Sequence, residues 1–188
     1  MLLKRVGWIF VLLSLLVGCS PGNRALDQGM NFRSSLLSAQ GCKFTANITA
    51  DYGDALHVFT LECQGDENGS LTFSVSEPET ISGITGTVSD TGGALTFDDT
   101  ALCFPLLTDD QLSPISAPWI FLKTLRSGYM TSACMEDTLL HLIMNDSYEE
   151  DALQMDIWMD KDNVPIRSDI LYDGKRILSL EIEGFAFL

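Results

Sequence analysis

The sequence predicts an α+β fold, a strongly curved antiparallel sheet with an N-terminal helix and a mid-chain helix covering its concave face. Three observations predict it. Beyond about residue 40 the chain is rich in β-branched and aromatic residues, alternates apolar with polar, and is punctuated by turns such as "DYGD", "DENG", "TGG", "DKDN" and "DG". Helical spacing is confined to two stretches, one before that region and one that interrupts it. The strands that can be paired on paper are apolar on one side and polar on the other, which leaves one face to bury.

In chain order, Lys4 and Arg5 lead into an apolar run from Val6 to Val17, interrupted only by Gly7 and Ser14. A bilayer span needs about 20 such residues. The run instead has the build of a secretory signal, with a charged start, an apolar middle and small residues at its end. Leu16-Val17-Gly18-Cys19 resembles a bacterial lipobox, in which the cysteine sulfur takes a diacylglycerol and the peptide is cut just before it. Residues 1–18 therefore read as a lipoprotein signal peptide, Cys19 as the lipidation site, 19–27 as a tether and 28–188 as one domain. The alternatives are an uncleaved anchor helix or an ordinary signal with an incidental cysteine. Membrane lipid is the partner this implies, at the extracytoplasmic face of the cell membrane. Removing Lys4 and Arg5 with the leader leaves nine basic residues against 26 acidic, a net charge of −17. Such a body is repelled by polyanions, which argues against a nucleic-acid partner.

Met30, Phe32 or Arg33, Leu36 and Leu37 allow a short amphipathic helix over about 28–39, closed by Gly41. The hairpin "CKFTANITADYGDALHVFTLEC" follows. With Tyr52-Gly53 as a two-residue turn, Ile48 opposes His57, Ala46 opposes Phe59, Phe44 opposes Leu61 and Cys42 opposes Cys63. Lys43, Thr45, Asn47, Thr60 and Glu62 then share the other side, and a one-residue slip would scramble both. Four cysteines remain beyond Cys19, and an even number in an exported chain suggests two disulfides out of three possible pairings. Directly opposed residues of the closer kind lie within disulfide reach, which favours Cys42–Cys63. Cys103–Cys134 follows by elimination and would staple the two ends of the inserted helical segment; buried free thiols are the alternative. That segment is "SPISAPWIFLKTLRSGY", with Ser116 as cap, Pro118 in the first turn and Gly128 at the end. Ile115, Trp119, Leu122 and Leu125 fall at helical spacing there. Trp119, Ile120, Leu122 and Leu125 either form a lid over an apolar cavity or simply fill the core.

In "LQMDIWMDKDNVPIRSDILYDGKRILSLEIEGFAFL", a tight turn at Lys161-Asp162 sets Ile157 opposite Ile166 and Leu153 opposite Ile170. An odd-length turn around Asp173-Gly174 brings Leu178, Leu180 and Ile182 onto the same face. Gln154, Asp156, Trp158, Arg167, Asp169, Ser179, Glu181 and Glu183 form the wet side.

The part of this stretch from Asp156 to Phe185, with its acidic turn, proline-led strand, D-G turn and final apolar strand, is similar to the closing strands of the LolA/LolB-like lipoprotein-carrier superfamily. The rest of residues 28–188 follows the same plan. Closest in style are lipid-anchored members from Gram-positive spore formers, including the germination lipoprotein GerS. The resemblance implies an incomplete, half-open β-barrel with helices at its mouth. It implies either an acyl chain or other apolar ligand in the cavity, or a protein partner in the envelope. Candidate cavity residues are Phe44, Phe59, Trp119, Leu122, Leu125, Leu153, Ile157, Ile170 and Leu180. The chain departs from the soluble shuttle in keeping its own anchor and in its cysteines, which would stiffen a cavity that must open.

Catalysis finds little footing. His57 lies on the hairpin's apolar face and His141 amid "TLLHLIM", and no G-x-S-x-G elbow accompanies either. "DKDN" lacks the glycine and later glutamate of a calcium loop and reads as a hairpin turn. No C-x-x-C spacing supports a metal knuckle, and no cofactor is implied.

Overall fold

The computed structural model of the protein describes residues 21–51, 56–97, 100–104, 107–108 and 111–188. Cys19, the leader and the Tyr52-Gly53 turn lie outside the described residues. Helix α1 (Pro21–Ser38) precedes six strands, β1 (Gly41–Asp51), β2 (Leu56–Asp66), β3 (Leu71–Glu77), β4 (Thr85–Ser89), β5 (Gly92–Phe97) and β6 (Thr100–Phe104). A two-stranded ribbon, β7 (Leu107–Thr108) and β8 (Gln111–Leu112), leads through a short 3₁₀ turn into α2 (Ala117–Ser127). Five strands finish the chain: β9 (Tyr129–Glu136), β10 (Leu139–Asn145), β11 (Gln154–Met159), β12 (Pro165–Tyr172) and β13 (Lys175–Phe187).

The sheet has eleven strands in the order β6-β5-β4-β3-β2-β1-β13-β12-β11-β10-β9. Two meanders are joined where the first strand pairs antiparallel with the last. A twist of roughly 20–25° between neighbours accumulates over so many strands and curls the sheet. Bulges add curvature, between Lys43 and Thr45, Ile143 and Met144, Trp158 and Met159, and Ile170 and Leu171. The two edges, β6 and β9, stay unpaired with each other, so the barrel is open. The connection between those edges must return across the sheet, and α2 is that connection. Topology therefore lays it over the concave face.

One row of cross-strand partners shows how that face is lined. Leu142, Ile157, Ser168, Leu180, Ile48 and Phe59 follow one another across six strands, and all but Phe59 are buried. Helix α1 buries Ala25, Gly29, Phe32 and Leu36, a four-three-four spacing that keeps one stripe inward. It begins at Pro21, so its first turns take in most of the expected tether. With that start the stripe differs from the expectation: Met30 and Leu37 are 48% and 52% exposed. Helix and sheet approach closely at Gly29, where a Cβ would come within 2.9 Å of Leu142 Cδ2 and of Met130 Cε, so those side-chain ends would have to shift for a larger residue.

Both hairpin registers differ from the expectation by two residues. In β1–β2, Phe44 opposes Cys63 and Cys42 opposes Gly65. In β11–β12, Met155 opposes Ile170 and Ile157 opposes Ser168. A slip of two leaves every side chain on its predicted face, so the pattern alone does not choose between the registers. The bulge at Trp158/Met159 does turn Ile166 outward, where it is 36% exposed. The Asp173-Gly174 turn has two residues, with φ of 48° and 70°. The change of face comes from the bulge at Ile170/Leu171, and Leu178, Leu180 and Ile182 are buried as expected. "DKDN" is a hairpin turn, in which Asp160 Oδ1 accepts from the backbone N–H groups of Asp162 and Val164, both at 2.9 Å.

Candidate functional site

The space between sheet and helices is the expected site, and side chains of this chain fill it beneath α2, while a groove of about 280 Å³ stays open beside α1 against Phe32, Phe185 and Phe187. From α2, Trp119, Ile120, Phe121, Leu122 and Leu125 are all buried, at most 5% exposed. Phe121 meets Phe44 edge-on at 5.8 Å, and Phe44 stacks on Phe185 at 5.7 Å. Phe32 of α1 packs against Phe185 and Phe187 at 5.8 and 5.7 Å. Those two phenylalanines reach the inner face only because a bulge at Gly184, φ +62°, reverses the alternation of β13 after Ile182. Of the candidate cavity residues, Phe44, Trp119, Leu122, Leu125, Ile157, Ile170 and Leu180 are buried in this single core. Phe59 and Leu153 pack half-buried at its border.

The helices are tied to each other and to the rim. Arg33 of α1 donates from Nε to the carbonyl of Leu125 (2.8 Å) and from Nη2 to that of Gly128 (2.7 Å), capping the C-terminal end of α2. Partial burial holds its guanidinium below the usual arginine value. Trp119 Nε1 donates to the carbonyl of Gly69 at 3.0 Å. Gly128 closes α2 as expected, but Ser116 makes no cap. It lies in the preceding 3₁₀ turn with Oγ buried and without a partner.

The cysteines fall differently from the paired expectation. All four are free thiols. Cys42 and Cys63 are buried on the inner face as diagonal neighbours, and the diagonal of an antiparallel pair is about 7–8 Å, beyond the usual Cα separation of a bridge. Burial pushes the Cys42 thiol up to about 11, and burial and then its neighbour Cys42 push Cys63 further still. Cys103 and Cys134 are exposed on β6 and β9, the first and last strands of the sheet.

The outer face carries two further features. Over β9–β13, Trp158 lies between His141, stacked at 4.5 Å and 5°, and the Arg167 guanidinium at 4.6 Å, while its Nε1 donates to Glu136 at 2.8 Å. Beside them Asp169 accepts from Ser179 Oγ (2.6 Å), Arg167 Nη2 (2.6 Å) and Arg176 Nη1 (3.3 Å). Burial alone would push the Asp169 carboxyl up, but Ser179, Arg167 and Arg176 together hold it below the usual value. Sequence patterning placed Trp158, Arg167, Asp169 and Ser179 on the wet face. It gave no signal that His141 and Glu136, one and two strands away, would join them. His57 lies toward the hairpin end, stacked on Phe59 at 6.3 Å. Among the described residues no three metal-ligating side chains converge.

Over β1–β5 the outer face is a trough of about 720 Å³. Two cross-strand rows line it: Lys43, Gln64, Thr72 and Thr87, and beside them Thr45, Glu62, Ser74, Thr85 and Thr96. Phe44, Cys63, Phe73 and Gly86 supply the floor between these residues. Gly184, at the bulge in β13, borders it with open space where a Cβ would stand. Thr72 Oγ1 donates to the carbonyl of Gln64 at 3.2 Å.

Fold and site together define an open antiparallel half-barrel plugged by its own two helices, with a polar outer face. No protein-family model matches the chain, and no curated protein does. Among solved structures, the chain is similar to an uncharacterized conserved protein from Thermus thermophilus, at a TM-score of 0.47 and 10% identity over 90% of this chain and 88% of that one. It is similar to a LolA superfamily protein from Nitrosomonas europaea, at 0.45 and 8% over 90% and 94%. It is also similar to the lipoprotein LppX from Mycobacterium tuberculosis, at 0.41 and 10% over 85% and 91%. Scores below 0.5 at such identities leave the fold to be read from this chain's own strand order.

Proposed function

We propose that the protein is a non-enzymatic extracytoplasmic lipoprotein, held to the cell membrane through Cys19, whose half-barrel docks another protein of the cell envelope. The observation that carries this reading is the filled interior. Phe121, Ile157, Ile170 and Leu180 are fully buried against one another's elements, and little space is left beneath α2 for a cargo. Function then falls to the outer surface. The Trp158 stack is suited to it, since Trp and Arg held rigidly by neighbours are the residue types that anchor protein interfaces. A photo-crosslinking side chain at Ile166, beside the stack, should capture one reproducible envelope protein in native membranes, and Trp158→Ala should abolish that product. No product, or one indifferent to Trp158, sinks the docking reading. For the anchor, Cys19→Ser should release the protein or leave it unprocessed, and unchanged acyl labelling would refute it.

A second reading, acyl-chain binding, is favoured by a specific strip of the inner face. The row from Phe44 through Cys63, Phe73, Gly86 and Leu95 ends at Leu102. Leu102 and Phe97 on this side are 63% and 54% exposed, so the apolar lining runs past the helical plug. Native mass spectrometry should find lipid on gently purified protein if this strip takes an acyl chain. A clean apo mass with no fatty-acid uptake excludes it.

A further inference from the structure

We propose that the trough over β1–β5 is a saccharide-binding site that takes a neutral oligosaccharide. Its size fits, since ligand sites commonly enclose about 300–1,000 Å³ and the trough holds about 720 Å³. Crossing five strands at about 4.8 Å spacing, it runs for roughly 19 Å, which suits a chain of sugars better than one ring. Its chemistry fits as well. Five threonines and a serine offer hydroxyls that both donate and accept, and the threonine methyl groups offer small apolar contacts to sugar C–H faces.

That capacity is largely unspent. Among the described residues, the Thr72 bond to Gln64 is the one side-chain hydrogen bond made by the two rows.

Other ligand classes fit less well. One lysine and one glutamate leave the trough near neutrality, within a chain of net charge −15, so it selects neither polyanion nor polycation. Large apolar side chains point to the opposite face, which removes the lipid option here. The trough lies on the face of paired strands, where no free backbone edge is offered for an added peptide strand. The bulge at Gly184 keeps its border free of a side chain, so a ligand can lie close to the backbone there.

This inference is independent of the docking reading, whose residues lie on β9–β13. The full-length protein in lipid nanodiscs is titrated with chitotetraose and with cellotetraose, by calorimetry and by saturation-transfer NMR. Saturable binding of at least one tetrasaccharide is expected. The double variant Thr72→Val/Thr85→Val, which removes two hydroxyls and keeps side-chain shape, should weaken it about tenfold or more. Gln64→Ala provides a second, single-site test should the double variant fold poorly. Thr131→Val, a matched change on β9, should bind like the parent. Absence of saturable binding to both tetrasaccharides, or equal binding by parent and trough variants, overturns the proposal.

Discussion

Arg33→Met tests whether α1 holds α2 in place. The guanidinium makes two short bonds to α2-terminal carbonyls, at 2.8 and 2.7 Å, and a longer one to Thr124 at 3.5 Å. Carbonyls at a helix C-terminus lack the usual partner within the helix. A hydrogen bond to a charged group contributes about 1.5–3 kcal/mol, and a cation at a helix C-terminus about 0.3–1 kcal/mol. Arg33 is only half-buried, so water takes over part of this once the side chain is gone. The net loss expected is about 2–3 kcal/mol. Methionine keeps most of the aliphatic stem in contact, so the loss reports the bonds and not the packing. Arg33→Lys keeps the charge but not the fork and should lose about half as much. In urea, with a slope of about 2 kcal/mol/M, the Met variant's midpoint should fall by about 1–1.5 M. Amide exchange in α2 should accelerate ahead of the sheet's. A midpoint within about 0.2 M of the parent at equal slope would show that α2 is held by its apolar contacts alone.

Three other outcomes are expected. Ser168 is fully buried between Ile157 and Leu180 with Oγ unpartnered, so Ser168→Ala should leave stability unchanged or raise it by up to about 1 kcal/mol; a drop in melting temperature would show that the hydroxyl has a bound partner. Asp169→Asn should destabilise by about 1–2 kcal/mol at neutral pH. Because the folded carboxyl titrates below its unfolded value of about 3.9, that contribution is complete above this value and lost as pH falls through the folded one. Parent and variant should therefore converge in acid, and a gap that stays constant with pH refutes the linkage. In reduced protein near neutral pH, maleimide should label Cys103 and Cys134 quickly and Cys42 and Cys63 slowly, as exposure and the raised thiols of the inner pair require. Peptide mapping that finds Cys42 labelled as fast as Cys103 would contradict the core packing.

The expected lid and the observed plug use the same residues. Trp119, Leu122 and Leu125 announce an inward helical stripe in the sequence, and the structure buries all three. Whether a hollow remains beneath them depends on Phe32, Phe44, Phe121, Phe185 and Phe187, drawn from four different elements. No local pattern adds up their volumes. The trough shows the same limit. Thr45, Glu62, Thr72 and Thr85 are legible as outward positions, yet only the register of five strands sets them in rows.

By itself the sequence determined the side to which most strand residues face, the turns, the two helical insertions and the acidic balance, because each depends on neighbours a few positions away. Tertiary structure decided the registers, since a slip of two residues preserves both faces and only the packed sheet distinguishes one register from the next. It also decided the reversal at Gly184, the start of α1 at Pro21 and the filling of the barrel. Those outcomes turn on volume and close approach between segments as distant as Gly29 and Leu142, where a single added Cβ would press on a neighbouring side chain.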